Sequence, residues 1–198
     1  MGFLLENCTF SLLNEEILKN ANQFDCGHHD LNDFFQNDVL DYSSQLLGKS
    51  YCFLLDEDPK TIVCAFSISN DSIKVNFLPN SRKKNVNKQI PRVKQFRSYP
   101  AVLIGRLGVN ILFKKRGIGK ELMDFIKSWF IDPGNKTGCR FIVVDAYDED
   151  DPLKYYQSNG FKFLFGDEAQ ERQYTGVSND RPVKTRLMYY DLIELLAK

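Results

Sequence analysis

Residues 101–130 read AVLIGRLGVNILFKKRGIGKELMDFIKSWF, and this stretch decides the fold of the chain. Residues 101–109 are mostly apolar and predict a buried strand. From Ile118 to Phe130 the apolar side chains recur at steps of three and four, which predicts an amphipathic helix. Asp132-Pro133-Gly134 would end that helix. The stretch therefore predicts a strand, a basic turn and a helix in direct succession.

The turn between this strand and this helix carries four cations and two glycines within residues 114–120. The first amides of a helix have no intrahelical acceptor, and the helix dipole places partial positive charge there. Gly117 and Gly119 would let a ligand approach the backbone. The turn therefore predicts a phosphate or pyrophosphate site, with a solvated basic turn as the alternative. Its spacing fits neither a Walker loop nor a dinucleotide-binding glycine pattern.

The turn resembles the acetyl-CoA loop of the GNAT N-acetyltransferase superfamily, whose pattern is Gln/Arg-x-x-Gly-x-Gly/Ala after a central strand. Gly117 and Gly119 hold the glycine positions, and Lys114 stands where Gln or Arg is usual. The resemblance implies that strand backbone pairs with the pantetheine arm and that the turn grips the pyrophosphate. The implied acetyl-CoA contacts are Leu107, Gly108, Val109, Lys114, Lys115, Arg116, Gly117, Ile118, Gly119 and Lys120.

Length and composition indicate one ordinary globular domain, residues 1–198, with a basic insertion at 79–100. The 26 basic and 26 acidic residues cancel, so only local clusters can indicate nucleic-acid binding. No apolar run is long enough for a membrane span, and the N-terminus lacks the features of a signal peptide. Five scattered cysteines without a CxxC pair favour reduced thiols and a cytoplasmic location.

Residues 24–46 suggest a turn followed by a helix. Cys26, His28 and His29 could form a metal cluster or a Cys/His nucleophile, but their spacing matches no known ligand pattern. We favour a structural role, in which Asp30 caps a helix over residues 31–46. The run from Phe24 to Gly27 followed by Leu31 to Phe35 also resembles a GNAT subgroup of toxins from toxin–antitoxin pairs, which acetylate the amino acid carried on tRNA.

The middle of the chain predicts strands followed by a basic loop. Residues 3–13, 51–55 and 62–69 are strand-like, and residues 72–78 form a further strand or a helical turn. Residues 79–100 contain seven cations and no carboxylate, and they predict a loop. These cations are candidate nucleic-acid contacts, with a solvated face as the alternative: Arg82, Lys83, Lys84, Lys88, Arg92, Lys94 and Arg97.

Two aromatic residues of the same insertion add candidate stacking surfaces for bases, namely Phe96 and Tyr99. A comparable insertion before the central strand is a further resemblance to the tRNA-acetylating toxins. The insertion therefore favours RNA as the macromolecule that the chain would bind.

The last third predicts a buried strand over 139–147, parallel to the 101–109 strand, followed by a short helix. Within that helix Tyr155-Tyr156-Gln157-Ser158-Asn159-Gly160-Phe161 resembles the GNAT pattern Phe-Tyr-x-x-x-Gly-Phe. Residues 161–165 and 186–192 predict closing strands, joined by a polar loop over 166–185. The resemblance implies an α/β GNAT fold, with a mixed, mostly antiparallel sheet, a parallel strand–helix–strand unit and helices on both faces.

Acetyl transfer to an amine needs an oxyanion donor and an acid for the leaving thiolate. A backbone amide near Val109 could be the donor, and Tyr156 is the candidate acid because a phenol is protonated at pH 7. No general base is evident, although Asp145 or Glu149 could act through water. The absence of a base favours an α-amine, whose pKa of ~8 leaves part of it neutral.

The sequence therefore predicts an acetyl-CoA-dependent N-acetyltransferase that needs no metal, with aminoacyl-tRNA as acceptor. Expected partners are acetyl-CoA, aminoacyl-tRNA and a cognate antitoxin, without a membrane; a homodimer is left open. One alternative is acetylation of a small-molecule or peptide amine. Another is a non-catalytic module that binds RNA or protein.

Overall fold

A computed structural model describes residues 2–93, 96–178 and 182–196. Within these ranges no helix is both long and apolar enough to cross a membrane. The strands are β1 (Cys8–Leu12), β2 (Lys49–Leu55), β3 (Asp58–Ile73), β4 (Tyr99–Val109), β5 (Phe141–Tyr147), β6 (Lys162–Phe163) and β7 (Thr185–Asp191). The α-helices are α1 (Phe3–Asn7), α2 (Glu15–Asn20), α3 (His29–Asp33), α4 (Val39–Ser44), α5 (Asn80–Val86), α6 (Ile118–Ile131), α7 (Asp150–Ser158), α8 (Glu168–Thr175) and α9 (Ile193–Leu196).

The seven strands lie in the order β1-β2-β3-β4-β5-β7-β6. Among the strands of the described residues, β4 and β5 form the parallel pair, and α6 connects them in sequence. The strand-like runs 51–55 and 62–69 lie in β2 and β3, which pair antiparallel around a turn at Asp56 and Glu57. The prediction of a mixed α/β fold with a parallel strand–helix–strand unit is therefore confirmed.

The chain divides into two compact units, the first being Met1–Ser69 with Ile104–Trp129. In this unit α6 covers one face of the strands, where the Phe125 ring lies 4.8 Å from that of Phe10 and 5.0 Å from that of Phe53. Side chains alternate along a strand, so Cys52 points to the other face. There Cys52 packs in a core with residues of the first seventy: Leu13, Phe24, Cys26, Phe34, Phe35, Val39, Ile62 and Ala65.

The second unit is Asn70–Leu103 with Phe130–Lys198. Its core joins both parts of the unit and contains Ile73, Val75, Leu78, Val86, Tyr99, Ala101, Phe141, Val143, Leu164, Phe165 and Tyr189. Arg140 adds a bidentate ion pair with Asp191, with nitrogen–oxygen distances of 2.6 and 2.9 Å. The pair ties the start of β5 to the end of β7.

Two expectations for the chain were wrong and a third, the first strand, was right only in part, each because a distant contact stabilises a short helix. Residues 3–13 form α1 before β1, since the Leu4 N–H donates to Glu121 Oε1 over 2.7 Å. The supposed loop 79–100 contains α5, whose Val86 is buried. The supposed loop 166–185 contains α8, whose buried Glu171 accepts hydrogen bonds from Arg186 Nε, at 2.8 Å, and from the Leu187 N–H.

The helix expected over 31–46 exists in altered form. It starts at His29, passes through a π-helical turn, Phe34–Asp38, and ends at Ser44. Asp30 is not its cap, because His28 occupies that position and no side chain caps the helix. Residues 72–78 include both predicted forms, since β3 extends to Ile73 and a 3-10 turn follows at Val75–Phe77.

Candidate functional site

The basic turn before α6 has an open backbone. Lys115 and Gly117 both have left-handed backbone conformations, with φ of +59° and +81°. A Cβ on Gly117 would meet no atom within 4 Å. Among the described residues, the N–H groups of Lys115, Arg116 and Gly117 have no hydrogen-bond acceptor. Three amides at the positive end of a long helix can therefore receive an anion.

The last three members of the predicted turn, Ile118, Gly119 and Lys120, are already part of α6. Gly119 and Lys120 belong to the first turn of α6, which begins at Ile118, and Ile118 is buried. The Lys120 ammonium pairs with Asp124 over 2.5 Å, and both side chains are exposed. The side-chain charge available to a ligand at this end of the helix thus comes mainly from Lys114, Lys115 and Arg116, which are exposed.

The end of β4 is held by Asn110, a residue that the sequence analysis did not single out. Its side-chain amide donates to the Ile62 carbonyl over 3.0 Å, and its Oδ1 accepts from the Leu112 N–H, also at 3.0 Å. Asn110 is buried, so these bonds fix the chain just after Leu107, Gly108 and Val109. A buried Asn directly after an apolar strand was the signal for this role.

The segment Phe24–Gly27 packs on the end of β4. The Ile111 N–H donates to the Asp25 carbonyl over 2.9 Å. Asp25 Oδ1 accepts from the Gly27 N–H and from Asn32 Nδ2, both at 2.7 Å, and these bonds lower the pKa of the Asp25 carboxyl. Lys114 contributes to the same shift, which places this predicted acetyl-CoA contact beside the segment.

Cys26 is a core residue rather than a nucleophile. It is 3% exposed, and burial raises the pKa of its thiol. His29 is exposed, and its Nδ1 lies 3.6 Å from Oδ1 of Asp30. No group of three or more His, Cys, Asp or Glu residues in the described ranges could hold a metal ion. Cys26 thus has a packing role, although the capping role that we favoured for Asp30 is not observed.

Arg106 is a further charged group on β4 that the sequence analysis missed. Its guanidinium carbon lies 5.2 Å from the centroid of the Phe34 ring, and its Nη1 donates to the Gly105 carbonyl over 2.8 Å. Arg106 is exposed, whereas Phe34 is buried. The signal for it was present, because Arg106 is the one charged residue in the otherwise uncharged run 99–109.

Tyr156 lies on α7, in the second unit. Its ring is half-buried between Tyr155 and Phe161, with centroid distances of 5.1 and 5.4 Å. Burial, with a smaller contribution from Tyr147, raises the pKa of the Tyr156 phenol well above its ordinary value. No described residue hydrogen-bonds its hydroxyl. The phenol is therefore protonated at neutral pH and its proton is available to a ligand.

The residues after Tyr156 hold it in place. The Tyr156 carbonyl accepts from the N–H groups of Asn159 and Phe161, at 3.1 and 3.0 Å. These two hydrogen bonds require a left-handed backbone at position 160, where Gly160 has a φ of +82°. A Cβ there would also meet the Tyr190 ring at 3.1 Å. The glycine and phenylalanine of the motif thus end the helix directly behind the tyrosine.

Most of the basic insertion presents unpaired charge. Lys84, Lys88, Arg92 and Arg97 are exposed, Lys83 is half-buried, and Lys94 lies outside the described residues. In the part of the chain that the structure describes, none of the predicted nucleic-acid residues forms an ion pair with a carboxylate. Unpaired cations of this kind attract a polyanion.

Arg82 and Tyr99 differ from the expectation. Arg82 is half-buried, with Nη2 2.6 Å from where a Cβ on Gly166 would stand, so it packs on the turn before α8. Tyr99 is 2% exposed and donates its hydroxyl to Asn87 Oδ1, so it offers no stacking surface. Phe96 is 45% exposed and lies 5.6 Å from the Tyr99 ring, and it alone of the two can stack on a base.

Comparison with solved structures gives the fold. A tyrosine-to-phenylalanine variant of KacT superposes with a TM-score of 0.71 and 17% identity, covering 97% of this chain and 99% of that one. AtaT complexed with acetyl-methionyl-tRNAfMet gives 0.66 and 18%, covering 97% and 100%. A variant AtaT toxin bound to acetyl-CoA and the C-terminus of its antitoxin AtaR gives 0.61 and 17%, covering 98% and 99%.

No family model matches the chain, and no curated protein matches it. The likeness to KacT and AtaT nevertheless extends over nearly the whole of each chain. It agrees with the mixed sheet, in which β4 and β5 are parallel. The chain has the GNAT fold of these toxins.

Proposed function

We propose that this protein transfers the acetyl group of acetyl-CoA to the α-amine of an aminoacyl-tRNA. The observation that carries the proposal is the turn before α6, with its three unpaired amides and its open, left-handed Gly117. On a GNAT fold, an anion receptor after the central strand fits the pyrophosphate of acetyl-CoA. The AtaT neighbours, one bound to acetyl-CoA and one to an acetylated aminoacyl-tRNA, support the same assignment.

Different parts of the protein bind different parts of acetyl-CoA in this proposal. In the proposal the turn holds the pyrophosphate through its amides, and the Lys115 and Arg116 side chains add charge. The backbone of Leu107–Val109 binds the pantetheine arm, and an amide near Val109 stabilises the oxyanion. Acetyl-CoA supplies the thioester, and the protein supplies position and electrostatics.

Tyr156 acts as the proton donor to the leaving thiolate. As the amine nitrogen bonds to the acetyl carbon and the carbon–sulfur bond breaks, the phenol gives its proton to the sulfur. The nitrogen loses a proton to water, and the phenolate regains one from the solvent. Its raised pKa keeps the phenol protonated over the whole neutral range. An α-amine with a pKa of ~8 needs no strong base for this reaction.

The exposed cations of residues 84–97 are proposed to hold the tRNA. Phosphates would pair with Lys84, Lys88, Arg92 and Arg97, and an unpaired base could stack on Phe96. We further propose an antitoxin protein as a partner, because one AtaT neighbour is bound to an antitoxin. Co-purification of the protein with the product of an adjacent open reading frame tests that partner.

The reaction is tested by incubating the purified protein with labelled acetyl-CoA and total charged tRNA. Ribonuclease digestion followed by mass spectrometry should then yield N-acetylaminoacyl-adenosine. Deacylated tRNA is the matched control and should stay unlabelled. Label on deacylated RNA, or none on charged tRNA, would contradict the proposal.

A further inference from the structure

We propose that Arg106 is a specificity-determining residue that binds the phosphodiester of the acceptor's terminal nucleotide, next to the acylated ribose. The inference rests on the proposed function and adds a named group that recognises RNA close to the reacting amine. It concerns a side chain of β4, in the first unit, and not the cations of residues 82–97.

Two contacts hold the Arg106 guanidinium in place and leave most of its N–H donors available to a ligand. One N–H donates to the Gly105 carbonyl over 2.8 Å, and the group lies 5.2 Å from the centroid of Phe34. A guanidinium has five N–H groups, and no described residue accepts from the others. Arg106 forms no ion pair within the described ranges. A guanidinium that is fixed in place and has free N–H donors can bind two oxygen atoms of one anion.

The aromatic support under Arg106 is rigid. Phe34 is 7% exposed, and its ring packs edge-on against Phe35 and Tyr42, at centroid distances of 5.3 and 5.5 Å. It opens the π-helical turn Phe34–Asp38, and Gln36 of that turn donates to the Phe24 carbonyl over 2.9 Å. The guanidinium is thus pre-organised, which lowers the entropy cost of binding a ligand.

The position of Arg106 on the strand matches the acceptor. Arg106 stands two residues before Gly108 on β4, which is about 7 Å along the strand. Gly108 and Val109 are the backbone proposed to hold the reacting acetyl group. In an aminoacyl ester the carboxyl group of the amino acid is esterified and carries no charge. The nearest anion to the amine is therefore the phosphodiester of the terminal nucleotide. An exposed arginine one pleat before the reacting centre is placed to meet it.

The test uses two minimal acceptors, 3′-O-aminoacyl-adenosine with and without a 5′-phosphate, carrying the amino acid that is acetylated in total charged tRNA. The wild-type protein should prefer the phosphorylated acceptor by about tenfold to a hundredfold in kcat/KM, as for charge-assisted hydrogen bonds. Arg106→Gln should lose that preference, so that the two acceptors have nearly the same kcat/KM. Arg106→Lys should keep only part of it, since it retains charge but not the fork.

The outcomes separate this inference from the proposed function. If Arg106→Gln acetylates charged tRNA but keeps the wild-type preference for phosphate, the inference is overturned and the proposed function stands. Equal loss on both minimal acceptors would give Arg106 a structural role and also overturn it. If the wild-type protein acetylates free amino acids and no charged tRNA, both fail. Phe34→Leu, which removes the ring, should reduce the phosphate preference in the same direction as Arg106→Lys.

Discussion

A Cβ on Gly108 would lie 3.0 Å from the Cβ of Cys26 and 3.2 Å from its Sγ. Strand β4 therefore has no room for a side chain where the segment Phe24–Gly27 crosses it. The hydrogen bond from the Ile111 N–H to the Asp25 carbonyl holds the two together. The motif Phe24-Asp25-Cys26-Gly27 thus buttresses the strand proposed to bind pantetheine, and its cysteine is there for packing.

Gly108→Ala should destabilise the protein by about 1–3 kcal/mol, because the new methyl group overpacks a buried contact. The melting temperature should fall by several degrees. Gly105→Ala is the matched control on the same strand, because its Cβ would meet only Ser67 Oγ, at 3.3 Å. Equal melting temperatures for the two variants would contradict the packing account.

Gly117→Ala should weaken acetyl-CoA binding by about tenfold or more, or ~1.4 kcal/mol. The added methyl group meets no protein atom, so the loss would come from the ligand's approach and from backbone strain at φ +81°. Gly176→Ala controls for that strain, since Gly176 has φ +75° and is equally open. Calorimetry that finds the same affinity loss in both variants would remove the turn from the site.

Tyr156→Phe should lower kcat by about 10²–10⁴, the usual cost of losing a general acid. The ring contacts with Tyr155 and Phe161 would be preserved, so stability should change little. Tyr155→Phe is the control and should retain near wild-type turnover. The reverse order of the two variants would assign the acid to Tyr155.

The pH profile should show no loss of turnover from ionisation of Tyr156 below about pH 10. Burial raises the pKa of this phenol, so its protonated, active form persists as pH rises, and it is lost only above the ordinary value of ~10. Turnover should instead rise towards pH 8 as the α-amine becomes neutral. A descending limb near pH 8, absent from Tyr156→Phe, would contradict the assignment.

Replacing Lys83, Lys84 and Lys88 together with Gln should raise KM for charged tRNA and flatten its salt dependence. Each lost phosphate contact should reduce the log–log slope by about 0.7–0.9. The affinity for acetyl-CoA should stay the same. A charge-matched control replaces the exposed Lys49, Lys60 and Lys136 with Gln. If the two triple variants have the same salt slope, the insertion is a solvated surface.

The elements β4 and α6 and the end of α7 were predictable from sequence because their signals are local. The apolar run of β4, the three-and-four spacing of α6 and the stop at Asp132 each lie within a few residues. Gly160 likewise marks the end of α7. In these elements local pattern and tertiary packing point the same way.

The short helices could not be predicted because their stability comes from distant partners. α8 is anchored by Glu171, which bonds to Arg186 and Leu187 on β7, and by Tyr174, whose hydroxyl accepts from the Lys74 N–H over 3.0 Å. No window of sequence contains these pairs. The support of Arg106 by Phe34 was hidden for the same reason, since 72 residues separate them.

The central claim, that this GNAT fold acetylates the amine of an aminoacyl-tRNA, is tested most directly by comparing two acceptors. Initial rates with labelled acetyl-CoA are measured for a purified charged tRNA and for the amide of the same amino acid. We predict that kcat/KM for the tRNA exceeds that for the amide by at least about a hundredfold, because the cations add phosphate contacts that the amide lacks. Equal values would contradict the claim and identify a small-amine acetyltransferase. Binding of acetyl-CoA without transfer to either acceptor would contradict it as well and identify a non-catalytic binding module.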